Sequence, residues 1–278
     1  MTAGKLRRWT RVLRVIARNR LSARKVTDTA DVAVAVTSFG PRIETCALAI
    51  ESIAAGTVRP AKMFIGLEDG LRGQPLPASI ERLIDRGLSV VYGPDLRSHK
   101  KYFFFLQQCI GQNMPLVVID DDFLYPQWFL ERILAAVETE RDAIWFYRAR
   151  EMKFYEGGNL APYDQWPFAN HETPALRFFF TSGGGTYLPV VMLKNLLTAG
   201  RGFEKVCPRA DDIWLNYLAS AAGIPKRLIL QSSTDFTPID LPVEQTLWTE
   251  NSRGGNDSQL CATYDPQTLR VIAGMSTT

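Results

Sequence analysis

Leu116-Val117-Val118-Ile119-Asp120-Asp121-Asp122 decides the reading of this chain. Four apolar residues, three of them β-branched, read as a buried strand that delivers three consecutive carboxylates to its C-terminal end. In open α/β sheets that edge is where ligands bind. Adjacent carboxylates repel one another unless a cation neutralises them. Hard oxygen ligands suit Mg2+ or Mn2+, ions that usually complete their shell with substrate phosphates. The alternative is a solvated turn that caps the helix starting near Pro126, although one aspartate suffices for a cap.

Upstream of this strand the pattern alternates. Val32–Val36, Lys62–Leu67 and Leu88–Tyr92 read as strands, and Ile43–Ala55, Ala78–Arg86 and Ser98–Gln112 as helices. Downstream, Pro126–Glu140 reads as a helix with Pro126 in its first turn, and Ala143–Tyr147 as a fifth strand. Such alternation predicts βαβ units and a largely parallel sheet. Past Arg150 the rhythm breaks into an aromatic, Pro- and Gly-rich loop over 151–176, a strand at Arg177–Thr181, a helix over Asp211–Ala222 and a strand at Arg227–Leu230. From Ser232 the tail reads as polar and irregular, with Trp248 and Tyr264 as anchors. The expected organisation is a basic helix over 1–28, a catalytic domain over 29–231 and a tail over 232–278 that packs near the active site.

Charge is unevenly placed. The net charge is +3, yet residues 5–25 hold nine basic residues and no acid. Leu6, Trp9, Val12, Leu13 and Ile16 fall on one side of a helix there, and Arg7, Arg11, Arg14 and Arg18 on the other. A basic helix with Trp on its apolar side suits an anionic membrane surface, the alternative being a helix docked on its own domain or a partner. The body beyond it is mildly acidic, which argues against nucleic acid as a partner. No apolar run is long enough to span a bilayer. Cys46, Cys109, Cys207 and Cys261 show no CxxC spacing and read as free thiols of a reducing cytoplasm.

A second acidic pair, Asp211-Asp212, opens an apolar helix. Asp211 suits the N-cap and both suit the positive helix end; the functional reading makes Asp212 a general base that takes a proton from an attacking hydroxyl. Gly183-Gly184-Gly185 allows close backbone approach, to a sugar or merely in a tight turn. Tyr102-Phe103-Phe104-Phe105 and Phe178–Phe180 read as core, whereas Trp166 and Trp248, lying in loops, read as stacking platforms for a sugar. His99 and His171 read as structural or surface residues.

Taken in order, these segments resemble bacterial GT-A glycosyltransferases, close to the broad family-two type, over roughly residues 32–230. Thr37-Ser38-Phe39-Gly40-Pro41-Arg42 resembles the nucleotide-binding first loop, and Glu68-Asp69 the acidic position that reads the base. Asp95-Leu-Arg-Ser-His-Lys100-Lys101 resembles the donor-site segment, and Asp120–Asp122 with Tyr125-Pro126 and Trp128 a DXD motif and its following helix. Thr181–Pro189 resembles the loop beside acceptor and sugar, and Asp211-Asp212-Ile-Trp214 the acidic pair of inverting members.

The resemblance implies a mixed, mostly parallel GT-A (Rossmann-like) sheet with flanking helices. It implies a nucleoside diphosphate sugar donor and a glycan or lipid-linked acceptor. Mn2+ or Mg2+ would be held by Asp122 with Asp120. Thr37, Ser38, Phe39, Arg42, Glu68, Asp95, Lys100, Lys101 and Asp121 would serve the donor, Gly183, Gly184, Gly185, Asp211 and Trp214 the acceptor or sugar, and Asp212 would be the base. The first loop lacks the commoner proline, and no QxxRW motif is present, which disfavours a processive synthase. The rival readings are a haloacid dehalogenase-like phosphatase, whose nucleophile strand normally opens its domain, and a non-catalytic, membrane-recruited glycan-binding protein.

Overall fold

A computed structural model describes residues 3–109, 111–239 and 255–274. The chain divides into two compact units, one of residues 1–95, 100–134 and 236–245, the other of residues 96–99, 135–235 and 246–278.

The first unit carries β1 (Ala30–Thr37), β2 (Pro60–Glu68), β3 (Leu88–Gly93) and β4 (Leu116–Val118), paired in parallel in the order β4-β1-β2-β3. Val32–Val36 of β1 is buried without interruption, as expected of a parallel strand covered on both faces. The register sets Val34 against both Met63 and Val117, so β1, β2 and β4 end near one another. Helices α2 (Arg42–Ala54), α3 (Ala78–Ile84) and α4 (Lys100–Gln108) flank the strands. Gly93 allows α4 its close approach: a Cβ there would lie 2.6 Å from the Phe104 ring. The helix at 98–112 begins as a 3-10 turn and becomes α-helical only at Lys100. After β4, a short antiparallel pair joins β5 (Phe123–Leu124) to β11 (Thr237–Pro238), which brings Phe236 against Tyr125, Trp128 and Phe129. Helix α5 (Phe129–Val137) follows.

The basic N-terminal segment is helix α1 (Ala3–Leu21), packed on α2 and α3. Its inward side is not the expected apolar line. Val15 and Asn19 are buried; Arg18 faces Glu51, and Asn19 bonds to Ser79 O and Arg82. Trp9 and Leu13 stay 54% and 59% exposed beside exposed Arg14 and Arg20.

The second unit holds β6 (Ile144–Phe146), with β10 (Lys226–Leu228) parallel and β9 (Thr186–Leu188) antiparallel to it. A separate ribbon pairs β7 (Ala149–Glu151) with β8 (Phe178–Phe180). Helices α6 (Val190–Ala199), α7 (Phe203–Val206), α8 (Asp211–Ala221), α9 (Asn256–Thr263) and α10 (Pro266–Ala273) complete it. Together the pairings are mixed and mostly parallel, the expected α/β class.

Two local expectations fail here. The tail beyond residue 255 is helical, since Gln259, Leu260, Thr263 and Ile272 give α9 and α10 buried sides, and both helices pack on α8. Trp166 is no surface platform: it is buried, donates Nε1–H to Ala161 O at 2.9 Å and packs edge-on against Phe179, so the 151–176 loop closes over an aromatic core of its own. Trp248 lies outside the described residues.

Candidate functional site

In the first unit, the expected donor and metal residues gather where β1 and β4 end. Thr37 Oγ1 donates to Gly66 O at 2.8 Å and ties the end of β1 to β2. The chain turns through Gly40, at φ 48°, and enters α2 directly after Pro41. Arg42, the first helical residue, is thereby buried against the acids. Its Nε donates to Asp121 Oδ2 at 3.1 Å, and its Nη2 donates to Asp121 Oδ1 and, at 3.1 Å, to Asp122 Oδ2. Ser38 Oγ donates to Asp121 Oδ2 at 2.6 Å, and the Phe39 ring lies 5.4 Å from the guanidinium carbon.

The three aspartates are therefore not equivalent. Asp121 is turned inward and both its oxygens are occupied; burial pushes its carboxyl up, against the pull of Arg42 and Ser38. Asp120 accepts from buried Lys101 at 2.6 Å, and its backbone N–H donates to Tyr125 Oη at 2.9 Å. The Asp122 side chain is 30% exposed, yet its Oδ1 is buried and lacks a hydrogen-bond partner. Burial, reinforced by Asp120 and Asp121, lifts the Asp122 carboxyl to about 7. At the ends of β2 and β3, buried Lys100 donates to Glu68 at 3.3 Å and to Asp95 at 3.2 Å. Arg42, Lys100 and Lys101 thus spend their charge on protein carboxylates.

A divalent cation fits this chemistry. It would satisfy Asp122 Oδ1 and offset the mutual repulsion that raises this carboxyl, with Asp122 and Asp120 as its protein ligands. Among the described residues no group of three or more His, Cys, Asp or Glu side chains is arranged to hold a metal. Magnesium-like ions commonly take only one or two carboxylates and fill the rest of the shell with phosphates and water.

In the second unit, the acids that open α8 do not cap it. The cap position is Ala210, without a side-chain bond. The acids hold the glycine loop instead. Buried Asp211 Oδ2 accepts from Ser182 Oγ at 2.8 Å, and Asp212 Oδ1 accepts from Ser182 N–H at 2.6 Å. Ser182–Gly184 forms a single 3-10 turn, and Gly185 leaves it at φ 87°. Gly184 must be glycine because Arg148 crosses it: an added Cβ would stand 2.6 Å from Arg148 Cβ. Trp214 is buried between Phe203 and Tyr217, and His99 stacks on Phe203 with Nε2 2.8 Å from Cys207 O.

Sequence reasoning missed the arginines beside this loop. Arg148 and Arg150 follow β6, and their guanidinium carbons each lie 5.0 Å from the Phe168 ring; that of Arg150 is also 5.1 Å from Tyr163. The signal was an Arg-x-Arg step at the end of the apolar run Ile144–Tyr147. Tyr125, which clamps Asp120, had no signal beyond its place in the resemblance.

Compared by sequence, the chain matches no family model and no curated protein. Compared by structure, it is similar to a mannosyltransferase of Pyrobaculum calidifontis solved with GDP-Man and Mn2+. That likeness has 14% identity and a TM-score of 0.53, and covers 97% of this chain and 77% of that one. It is also similar to a 4-diphosphocytidyl-2C-methyl-D-erythritol synthase of Anaerococcus prevotii, with 10% identity and a TM-score of 0.50, covering 81% of this chain and 99% of that one. At such identities the likeness is one of fold, the GT-A-like α/β fold.

Proposed function

We propose that the protein is a metal-dependent glycosyltransferase that moves one sugar from a nucleoside diphosphate sugar to a hydroxyl of a glycan or lipid-linked acceptor. The observation that carries this reading is Asp122 Oδ1, buried and without a partner among three carboxylates at the C-terminal end of a parallel strand. That is the chemistry of a site built around a cation. The solved mannosyltransferase of the same fold was observed with GDP-Man and Mn2+, which supports the choice of donor and metal.

Asp122 and Asp120 would hold Mn2+ or Mg2+, which when bound acts as a Lewis acid on the departing diphosphate. Arg42 and Ser38 fix Asp121, and through it the strand end. Lys100 orients Glu68 and Asp95 for the donor's base and ribose. On the acceptor side, Asp212 is the proposed base. It takes the acceptor hydroxyl proton while that oxygen forms a bond to the anomeric carbon and the bond to the diphosphate oxygen breaks. A single displacement of this kind inverts the anomeric configuration. Asp211 and the Ser182–Gly185 loop support Asp212.

No helix among the described residues is long and apolar enough to cross a membrane. We assign the outward side of α1, with Trp9, Leu13, Arg14 and Arg20, to the anionic inner face of the cytoplasmic membrane, where surface polysaccharide is built. Vesicles of anionic lipid should bind the intact chain and lose the Trp9→Glu, Leu13→Glu variant; equal binding of both would remove this assignment.

The decisive test is titration with a panel of nucleoside diphosphate sugars, with and without Mn2+. Mn2+-dependent binding and slow release of nucleoside diphosphate are expected. Pyrophosphate release from a nucleoside triphosphate would instead favour nucleotidyl transfer, and phosphate release from simple monoesters a phosphatase. Absence of any nucleotide binding would sink the proposal.

A further inference from the structure

We infer that the acceptor carries an anionic group, a phosphate or carboxylate, received by Arg148 and Arg150 beside Asp212. The inference deepens the proposed function and rests on its reading of Asp212.

Arg148 leans on the glycine loop that Asp212 holds. Its Nη1 donates to Thr181 Oγ1 at 3.2 Å and its carbonyl accepts from Thr181 N–H at 3.0 Å, one residue before the Ser182 amide bound by Asp212. Tyr163 links the group electrostatically. Burial and then the charge of Asp212 raise its phenol, while Arg150 and Arg148 pull it down, so all four side chains share one neighbourhood.

The two guanidiniums are held in an unusual way for buried-side cations. Arg150 donates Nη1–H to Trp166 O at 2.6 Å, its Nε is buried without a partner, and among the described residues no carboxylate pairs with it. Its charge rests on the rings of Tyr163 and Phe168. Arg148 meets Asp235 at 2.6 Å from Nε, and that carboxylate is 58% exposed. Phe168, on which both arginines rest, is itself 49% exposed.

Rings orient guanidinium planes without neutralising them. Two oriented forks beside an exposed ring form a receptor for a planar or tetrahedral oxyanion attached to an apolar-faced sugar ring. The arginines of the first unit contrast with this, since Arg42 is consumed by Asp121 and Asp122. Asp235 occupies Arg148 in the absence of ligand and would yield to an incoming anion.

The test is calorimetric titration of the full chain with glucose 6-phosphate, glucuronate and glucose. At least about tenfold preference for an anionic probe over glucose is expected, the size of one charge-assisted bidentate contact; the two charged arms tell phosphate from carboxylate. Arg148→Met and Arg150→Met should each remove most of that preference. Because Arg150 also supports Trp166, a second variant at an exposed position guards against misfolding. Asp235→Asn removes the competitor of the anion and should tighten binding about threefold or more. Equal affinity for charged and neutral probes overturns the inference. So does a preference that survives both arginine variants, or an Asp235→Asn variant that binds no tighter. None of these readings needs a nucleotide, so failure of the proposed donor site, scored in the nucleotide-sugar titration, is a separate result.

Discussion

The two units bury positive charge in opposite ways. In the first, Arg42, Arg86, Lys100 and Lys101 each meet a carboxylate: Asp121 and Asp122, Glu51, Glu68 with Asp95, and Asp120. In the second, Lys226 donates to Phe178 O at 2.6 Å, Ser220 Oγ at 3.2 Å and Leu176 O at 3.3 Å, while Arg150 lies on aromatic rings. Cations tied to acids fix the acids and leave little field for a ligand. Cations resting on rings keep their charge unspent. On this view the first unit is built to take a cation and the second to take an anion.

The contrast breaks first at Asp212. Its carboxylate accepts from the Ser182 backbone N–H at 2.6 Å and so is anchored at the glycine loop. Asp212→Asn should lower transfer by about 10²–10⁴-fold, the usual worth of a general base, with donor affinity unchanged in titration. Transfer near the wild-type rate would return the base to some other residue.

Next comes Arg42. Removing it strands the buried carboxylate of Asp121 and the partly exposed one of Asp122, so Arg42→Met should cost about 3–5 kcal/mol in urea unfolding. The double variant Arg42→Met, Asp121→Asn should recover a large part of that loss. If the single variant is as stable as wild type, the first unit does not depend on matched pairs.

Third is Asp122→Asn, which should weaken Mn2+-dependent donor binding about 10–100-fold or more and leave the Mn2+-independent part alone. A loss that is equal with and without Mn2+ would assign Asp122 to the nucleotide and not to the metal.

The last test lies at Lys226. Burial lowers its ammonium to about 7. Between that value and its ordinary range near 10.5 the unfolded chain binds more protons than the folded one. Stability therefore rises with pH across this window, by at most about 1.4 kcal/mol per unit, and the full cost of the buried charge is present below it. Lys226→Met should flatten urea unfolding midpoints between pH 6.5 and 9.5. A slope unchanged in the variant would mean that carbonyl bonding alone keeps this lysine charged at no cost.

The parallel strands of the first unit and the acidic ends of β4 and α8 were readable because each is a local pattern: an apolar run, then charge. What could not be read is non-local. Nothing near Arg42 announces that its partner lies 79 residues on at Asp121, or that Ser182 would occupy both Asp211 and Asp212. Trp166 looked like a surface residue because its neighbours are Pro, Gly and polar residues, yet the loop folds back so that Tyr163 and Phe179 cover it. Strand β9 has only three residues, too few for a period to show. Helix α9 turns toward α8 a side made of Gln259, Leu260 and Thr263, whose composition does not look like core.

The ribbon between β5 and β11 has a bearing on timing. Ile239 N–H donates to Asp122 O at 2.6 Å, and Phe236 packs on Tyr125, the residue whose hydroxyl bonds the Asp120 backbone. On a ribosome the acidic triplet emerges more than a hundred residues before this brace. The strands that position the aspartates can pair early, but the loop that carries them acquires its bond from Ile239 only more than a hundred residues later. The order of synthesis thus leaves the backbone of the acidic triplet without this brace until Ile239 has been added.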